Sequence, residues 1–160
     1  MSNYRRGVTL VEMLIVVAII GLIAGISFPA VSSGIDSLRL ASASDSLVSF
    51  LNGALNRAER RQQPVEVSIS SRENAVYLTT SAGFLRKLEM PPGVTIQAVW
   101  PKLPGEPEGP RRILLLPGGT APGIGIEIRN RKGMRRIVRV NPMTGVPEIE
   151  RLASTKEKAQ

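Results

Sequence analysis

The longest apolar run in the chain, Val8 to Phe28, constrains the fold more than any other feature. It reads VTLVEMLIVVAIIGLIAGISF, 21 residues with a single charge at Glu12. A helix of roughly 20 apolar residues matches the hydrocarbon thickness of a bilayer. Arg5 and Arg6 precede the run. The positive-inside tendency therefore predicts a cytoplasmic N-terminus, with the rest of the chain across the membrane.

Three interpretations of this segment compete. A secretory signal peptide has a shorter apolar core and a small-residue cleavage site after it, whereas this run continues into an amphipathic pattern. A plain membrane anchor fits the length but leaves Glu12 without a partner. A carboxylate in hydrocarbon costs roughly 2.5–3.5 kcal/mol, so an incidental acid here is disfavoured. The third interpretation is an apolar helix whose acid is paired in an assembly.

The segment from Arg5 to Glu12, RRGVTLVE, supports the third interpretation because it resembles the class III signal of type IV pilins and pseudopilins. The resemblance implies that a prepilin peptidase cuts between Gly7 and Val8 on the cytoplasmic side. It also implies methylation of the new terminal amine of Val8. The sequence departs from the family in one respect, since Val8 stands where phenylalanine is more common.

The same resemblance gives roles to residues beyond the cleavage site. It implies that Glu12 pairs with the terminal amine of a neighbouring subunit during filament assembly, with Thr9 part of the same assembly motif. Two charges that are costly alone in lipid favour docking in one register when they pair. Pro29, in the segment SFPA, matches the helix-kinking proline common in these proteins.

Beyond Pro29 the apolar residues recur at steps of three and four, which predicts an amphipathic helix ending near Pro64. The predicted buried stripe is Val31, Ile35, Leu38, Ala43, Leu47, Phe50, Leu51, Ala54 and Ala58. One helix bent near Pro29 would then run from about Val8 to Gln62. Two separate helices with a break at Pro29 are the alternative.

After Pro64 the period changes to two, which predicts short antiparallel strands. The expected alternating strands lie at Val65–Ile69, Val76–Leu78, Val94–Ala98, Ile124–Ile128 and Ile137–Val140, and a compact apolar run predicts one more at Ile113–Leu116. The segment 101–110 has four prolines and is expected to be a loop. Residues from Leu152 onward are polar and are expected to fray.

The order of helix and β-domain predicts an α+β, pilin-like fold. Its long N-terminal helix, with the first half transmembrane, packs on a C-terminal antiparallel β-domain. The C-terminal third, LLLPGGTAPGIGIEIRNRKGMRRIVRVNPMTGVPEI, resembles the GspH/FimT group of minor pseudopilins. The expected organisation is a leader (1–7), a transmembrane and assembly helix (8–30), its amphipathic continuation (31–63), a GspH/FimT-like β-domain (64–150) and a flexible tail (151–160).

Basic residues are concentrated in the 29 residues from Arg111 to Arg139, where eight cations face one acid, Glu127, for a net charge of +7. A hairpin turning near Lys132 and Gly133 would bring several of them to one end. The candidate binding surface is Arg129, Arg131, Lys132, Arg135, Arg136 and Arg139.

Three explanations of this charge remain open. The first is that the surface binds DNA, as in minor pilins of the FimT kind that capture DNA during uptake. The second is that it docks onto acidic surfaces of other pseudopilins or of a secreted substrate. The third is that it is a solvated surface with no dedicated partner. One departure counts against DNA. The resembled DNA-uptake proteins carry arginines directly after the late turn glycine, whereas Gly145 is followed here by Val146, Pro147 and Glu148.

Composition excludes several kinds of chemistry. The chain has no histidine and no cysteine, so disulfides, thiol redox chemistry, Cys/His zinc sites and His-assisted triads are excluded. The run from Gly118 to Gly123 lacks the lysine and following helix of a phosphate-binding loop. The acid pairs Glu106/Glu108 and Glu148/Glu150 are expected to be solvated charges. We therefore expect no catalytic site, no metal and no cofactor.

The resemblance implies a minor pseudopilin or minor pilin of a type II secretion or type IV pilus filament, located in the bacterial inner membrane with its C-terminal domain periplasmic. Its expected partners are other pilin or pseudopilin subunits, prepilin peptidase and the membrane, with DNA or a secreted protein as a ligand. The alternatives are a DNA-binding minor pilin of a competence pilus and a membrane-tethered periplasmic domain that never polymerises.

Overall fold

The computed structural model describes residues 9–102, 109–119 and 122–152, apart from the side chains of residues 26–33 and 151–152. The chain divides into two compact units, Met1–Ile35 and Asp36–Gln160. The elements are one helix, α1 (Leu10–Arg61), and eight strands: β1 (Val65–Ser70), β2 (Ala75–Thr80), β3 (Leu85–Glu89), β4 (Val94–Trp100), β5 (Arg111–Leu115), β6 (Gly125–Asn130), β7 (Arg135–Val140) and β8 (Pro147–Leu152).

The end of α1 is set by a Schellman motif and not by Pro64 itself. Gln62 adopts a left-handed φ of 49°, and its amide donates to the Glu59 carbonyl at 3.3 Å. The Gln63 amide donates to the Ala58 carbonyl, also at 3.3 Å. These two bonds satisfy carbonyls that the last helical turn would leave unpaired. Pro64 lies two residues after Gln62, the left-handed residue, and a proline at this position cannot continue the helix.

The strands form two antiparallel four-stranded sheets. The first sheet has the order β3-β2-β1-β5, and the second has the order β4-β6-β7-β8. The chain therefore leaves the first sheet after β3, returns to it for β5 and ends in the second sheet. Asn74, in the β1–β2 turn, ties the two sheets together. Its Nδ2 donates to the Val94 carbonyl at 2.8 Å, and its Oδ1 accepts from the Ile96 amide at 2.9 Å.

The core of the second unit lies where the C-terminal half of α1 packs on both sheets. The buried helix residues are Leu40, Ala43, Leu47, Phe50, Leu51, Ala54 and Ala58. They share one cluster with strand residues such as Val67 in the first sheet and Ile126 and Val138 in the second. This is the α+β, pilin-like arrangement that the sequence predicts, and that prediction is confirmed.

The buried stripe of α1 differs from the predicted one at its N-terminal side. Ile35 and Leu38 are 43% and 69% exposed, whereas Leu40, which is absent from the predicted stripe, is 3% exposed. The prediction was wrong at Ile35, which belongs to the first unit, and at Leu38, which is nine residues before the buried Leu47 and therefore on the opposite face of the helix. The side chain of Val31 lies outside the described residues.

Two strands were not predicted, β3 and β8, and both are edge strands of their sheets. In β3 four of the five residues are exposed, so alternating polarity is absent. β8 begins at a proline and contains Arg151 and Leu152, which the sequence assigned to the tail. The rest of the tail and residues 103–108 of the proline-rich segment lie outside the described residues.

Candidate functional site

Thr9 caps the N-terminus of α1 and fixes where the helix begins. Its hydroxyl oxygen accepts from the Glu12 amide at 3.2 Å, and its carbonyl accepts from the Met13 amide, also at 3.2 Å. Thr9 and Glu12 thus have the spacing of a capping box, with the acid in the first helical turn. Sequence reasoning missed this capping role, although Thr-x-x-Glu before an apolar run is its recognisable signature. Gly7 and Val8 lie outside the described residues.

The helix that follows this cap presents an apolar surface on all sides. Every described residue from Leu10 to Gly25 is exposed, and the large apolar side chains among them range from 45% exposed at Val16 to 79% at Leu10. A continuous apolar surface of this kind marks a protein or membrane interface. The helix assignment continues through Pro29. The bend expected there stays a prediction.

Among the described residues, no helix has the combination of length and hydropathy expected of one that crosses a bilayer. The predicted transmembrane span over residues 8–30 accordingly stays a prediction.

The β6–β7 turn organises the predicted basic surface around Asn130, which is 3% exposed. The Asn130 Oδ1 accepts from the Lys132 amide at 3.1 Å and from the Met134 amide at 3.0 Å. Gly133 turns the chain with a φ of 82°. A β-carbon at Gly133 would lie 3.5 Å from Arg129 Nη2, so the Arg129 guanidinium lies against the turn. The hairpin predicted near Lys132 and Gly133 is confirmed.

This turn lies beside the residues at which α1 enters the second unit. The Asn130 Nδ2 donates to the Asp36 carbonyl at 3.4 Å. Arg39 Nη1 donates to the Pro92 carbonyl, also at 3.4 Å. The Arg131 side chain covers the next residue, Gly93, where a β-carbon would lie 3.2 Å from Arg131 Nε.

Four exposed cations therefore lie around two turns and the segment of α1 at the start of the second unit. We call this set, Arg39, Arg129, Arg131 and Lys132, the basic cluster. Sequence reasoning missed Arg39, because no sequence pattern connects it to a turn about 90 residues away. Among described residues, Arg39, Arg129 and Arg131 take part in no ion pair. Arg136, also predicted to belong to the surface, is only partly exposed and lies opposite Ile128 in the β6–β7 register.

The remaining predicted cations have acidic neighbours. Arg135 Nη1 lies 3.4 Å from Glu127 Oε1, and Trp100 Nε1 donates to Glu127 Oε2 at 3.2 Å. Arg139 Nε lies 3.3 Å from Glu150 Oε1 on β8. The local charge is thus lower than the count over residues 111–139, because β8, outside that stretch, supplies Glu150. The six predicted residues do not form one uniform surface.

The side chains with shifted pKa values, Tyr77, Lys87 and Glu89, lie on the first sheet and not in the basic cluster. The Tyr77 hydroxyl donates to the Glu73 carboxylate, and this bond raises the pKa of Tyr77. Lys87 Nζ lies 2.5 Å from Glu89 Oε1. Their hydrogen bond raises the pKa of Lys87 and lowers the pKa of Glu89. These groups are surface pairs on and beside β2 and β3.

The described part of the chain contains no group of three or more acidic, histidine or cysteine side chains placed to hold a metal ion. The acids Glu148 and Glu150 both lie on the edge strand β8, where they are exposed. Glu106 and Glu108 are outside the described ranges.

Comparison with known proteins bears on the N-terminal segment. Residues 2–28 match the family described as the prokaryotic N-terminal methylation motif. The chain carries a type IV pilin-like prepilin signal. This signal marks a substrate of prepilin peptidase and implies assembly with other pilin subunits. No curated protein and no solved structure matches the chain.

Proposed function

We propose that the chain is a minor pseudopilin or minor pilin, of the GspH/FimT-like kind, in a type II secretion or type IV pilus filament. Prepilin peptidase removes residues 1–7, the helix over residues 8–30 crosses the inner membrane once, and the β-domain is periplasmic. The protein acts by assembly and not as an enzyme. The observation that carries this proposal is a prepilin signal leading into a helix whose apolar side chains, Leu10 to Ile23, are all exposed.

The position of Glu12 supports a role in assembly. Thr9 begins the helix, so Glu12 lies in its first turn. Cleavage after Gly7 would create a charged amine at Val8, one residue before the cap. A carboxylate and an ammonium group that each lose solvation in lipid are stabilised when they meet, and removing one partner leaves the other charge unpaired. Glu12 would therefore neutralise the amine of the neighbouring subunit and fix the register of packing.

The experiment is to express Glu12→Ala with the partner subunits of the filament and measure its incorporation. We expect normal leader removal, because the cleavage site is unchanged, with strongly reduced recovery in filaments. Glu148→Ala, which removes an exposed carboxylate on β8, is the matched control and should assemble normally. Incorporation of Glu12→Ala at the control level would refute the assigned role.

DNA capture is the second candidate function, and the basic cluster is the observation in its favour. Arginine side chains without acidic partners are suited to phosphate contacts. Two observations weigh against it. Arg135 and Arg139 are paired with acids, and Trp100, the only tryptophan, donates its ring N–H to Glu127.

Titration with duplex DNA tests this alternative. Binding that persists at physiological salt and disappears in a double variant, Arg129→Ala with Arg131→Ala, would make DNA capture the leading function. Binding confined to low salt, or equal in both proteins, would reject it, because non-specific phosphate contacts weaken steeply with salt.

A further inference from the structure

We propose that the basic cluster, Arg39, Arg129, Arg131 and Lys132, docks the β-domain onto anionic phospholipid headgroups. This inference rests on the proposed function, since it requires the N-terminal helix to be in a membrane. The cluster then holds the globular unit against the bilayer surface before the subunit enters a filament.

The first argument is that the fold builds this cluster from distant parts of the sequence. The β6–β7 turn is tied to α1 by the Asn130–Asp36 hydrogen bond. The turn at Pro92 and Gly93 is held between Arg39, which donates to the Pro92 carbonyl, and Arg131, which covers Gly93. Three segments thus converge on the residues where α1 enters the second unit.

The second argument is the chemistry of the side chains. All four cations are exposed, and three of them are arginines, whose planar guanidinium group binds phosphate oxygens in pairs. A cleft beside the cluster is lined by the polar side chains of Thr95 and Gln97 together with Arg129 and Arg131. Among the residues described, Arg39, Arg129 and Arg131 have no acidic partner to compete with a phosphate.

The third argument is the position of the cluster along the chain. Arg39 follows the end of the apolar run, Phe28, by eleven residues. Eleven helical residues rise about 16 Å, so Arg39 comes within reach of the headgroups when the globular unit leans toward the bilayer, and anionic lipids attract basic residues held that close to the surface. Because the fold places Arg129, Arg131 and Lys132 beside Arg39, they share this position despite their distance in sequence.

The C-terminal end of α1 offers a matched control. Arg60 and Arg61 are exposed cations in the last turn of α1. From Asp36 to Arg61 the helix rises about 37 Å. These two arginines therefore lie far from the basic cluster along the helix, and their removal changes net charge by the same amount as removal of two cluster residues.

The test uses the full chain reconstituted in vesicles of phosphatidylcholine alone or with phosphatidylglycerol. The chain has no cysteine, so Thr95→Cys supplies a single labelling site beside the cluster. Energy transfer from this label to headgroup-labelled lipid measures docking of the β-domain, whereas retention on washed vesicles measures membrane insertion. The variants are Arg129→Gln with Arg131→Gln, and the control Arg60→Gln with Arg61→Gln.

We expect docking on phosphatidylglycerol vesicles but not on phosphatidylcholine alone. Each basic residue near an anionic surface strengthens association by about fivefold, so losing two should weaken docking by about 25-fold. The control should dock normally, and high salt should release the parent chain.

Equal energy transfer on both lipids, or equal loss in the two double variants, would overturn the proposal even if the chain stays inserted. Duplex DNA that displaces the label from the lipid at physiological salt, and binds through Arg129 and Arg131, would assign the cluster to nucleic acid instead. A chain that washes off both kinds of vesicle would contradict the membrane helix, and with it the proposed function as well.

Discussion

Replacement of Asn130 by alanine tests how the β6–β7 turn is held. Asn130 is 3% exposed, and its Oδ1 accepts from the amides of Lys132 and Met134 at 3.1 and 3.0 Å. Its Nδ2 makes a longer contact of 3.4 Å with the Asp36 carbonyl. The substitution Asn130→Ala removes all three interactions while leaving the backbone path available.

The magnitude follows from the two short hydrogen bonds. A typical intramolecular hydrogen bond contributes about 0.5–1.5 kcal/mol net, so the free energy of unfolding should fall by about 2 kcal/mol. The chain provides a matched control in Asn141, whose Oδ1 accepts from the Met143 amide at 2.9 Å and the Thr144 amide at 3.4 Å. Asn141 is only partly buried and Met143 is 93% exposed. Water can replace these bonds, so Asn141→Ala should cost about 1 kcal/mol or less.

Urea unfolding of residues 34–160, followed by circular dichroism, measures both values. The account predicts a larger loss for Asn130→Ala than for Asn141→Ala, with an unchanged dependence on urea concentration. A loss below about 0.5 kcal/mol for Asn130→Ala, or an equal loss for both variants, would refute the reasoning from burial and hydrogen bonding.

Two further substitutions test packing and the buried carboxylate of the second unit. Leu47 is fully buried, so Leu47→Ala should lower the free energy of unfolding by about 3–4 kcal/mol. Leu38 is 69% exposed, so Leu38→Ala should change it by less than about 0.5 kcal/mol. Comparable losses for the two variants in urea unfolding would contradict the placement of α1. Glu127→Ala removes the acceptor of both Trp100 and Arg135 and should cost about 2 kcal/mol, with emission of the single tryptophan shifted to longer wavelength. Glu127→Gln keeps an acceptor for the indole and should shift the emission less; identical spectra for all three proteins would contradict that hydrogen bond.

Periodicity made much of this fold predictable. Apolar residues at three- and four-residue steps predicted the half of α1 that packs on the sheets. Alternating apolar residues predicted five of the eight strands, and a compact apolar run predicted β5. The missed strands, β3 and β8, are both edges of their sheets. In β3 four of five residues are exposed, so the alternating signal is weak, whereas β8 alternates over only a few residues after a proline that sequence reasoning took for part of a turn. The strand pairing that brings β5 beside β1 joins segments separated by three other strands, and no local pattern specifies it.

The candidate site was predictable where it depends on a local motif and unpredictable where it depends on the fold. The prepilin signal is contiguous, and the segment from Arg5 to Glu12 was enough to predict it. The basic surface was read as one stretch, but acids from β6 and β8 pair with Arg135 and Arg139, and Arg39 joins from α1. Counting charges along the sequence therefore included two arginines, Arg135 and Arg139, that are paired with acids, and it left out Arg39.

Removal of the leader peptide tests the central claim most directly. The measurement is the intact mass of the chain after expression with and without prepilin peptidase, with Gly7→Leu as the uncleaved control. The account predicts that the peptidase removes Met1–Gly7, that Val8 carries one methyl group, and that Gly7→Leu keeps its full length. A parent chain that keeps its leader in the presence of the peptidase, or is cut elsewhere, would contradict the account.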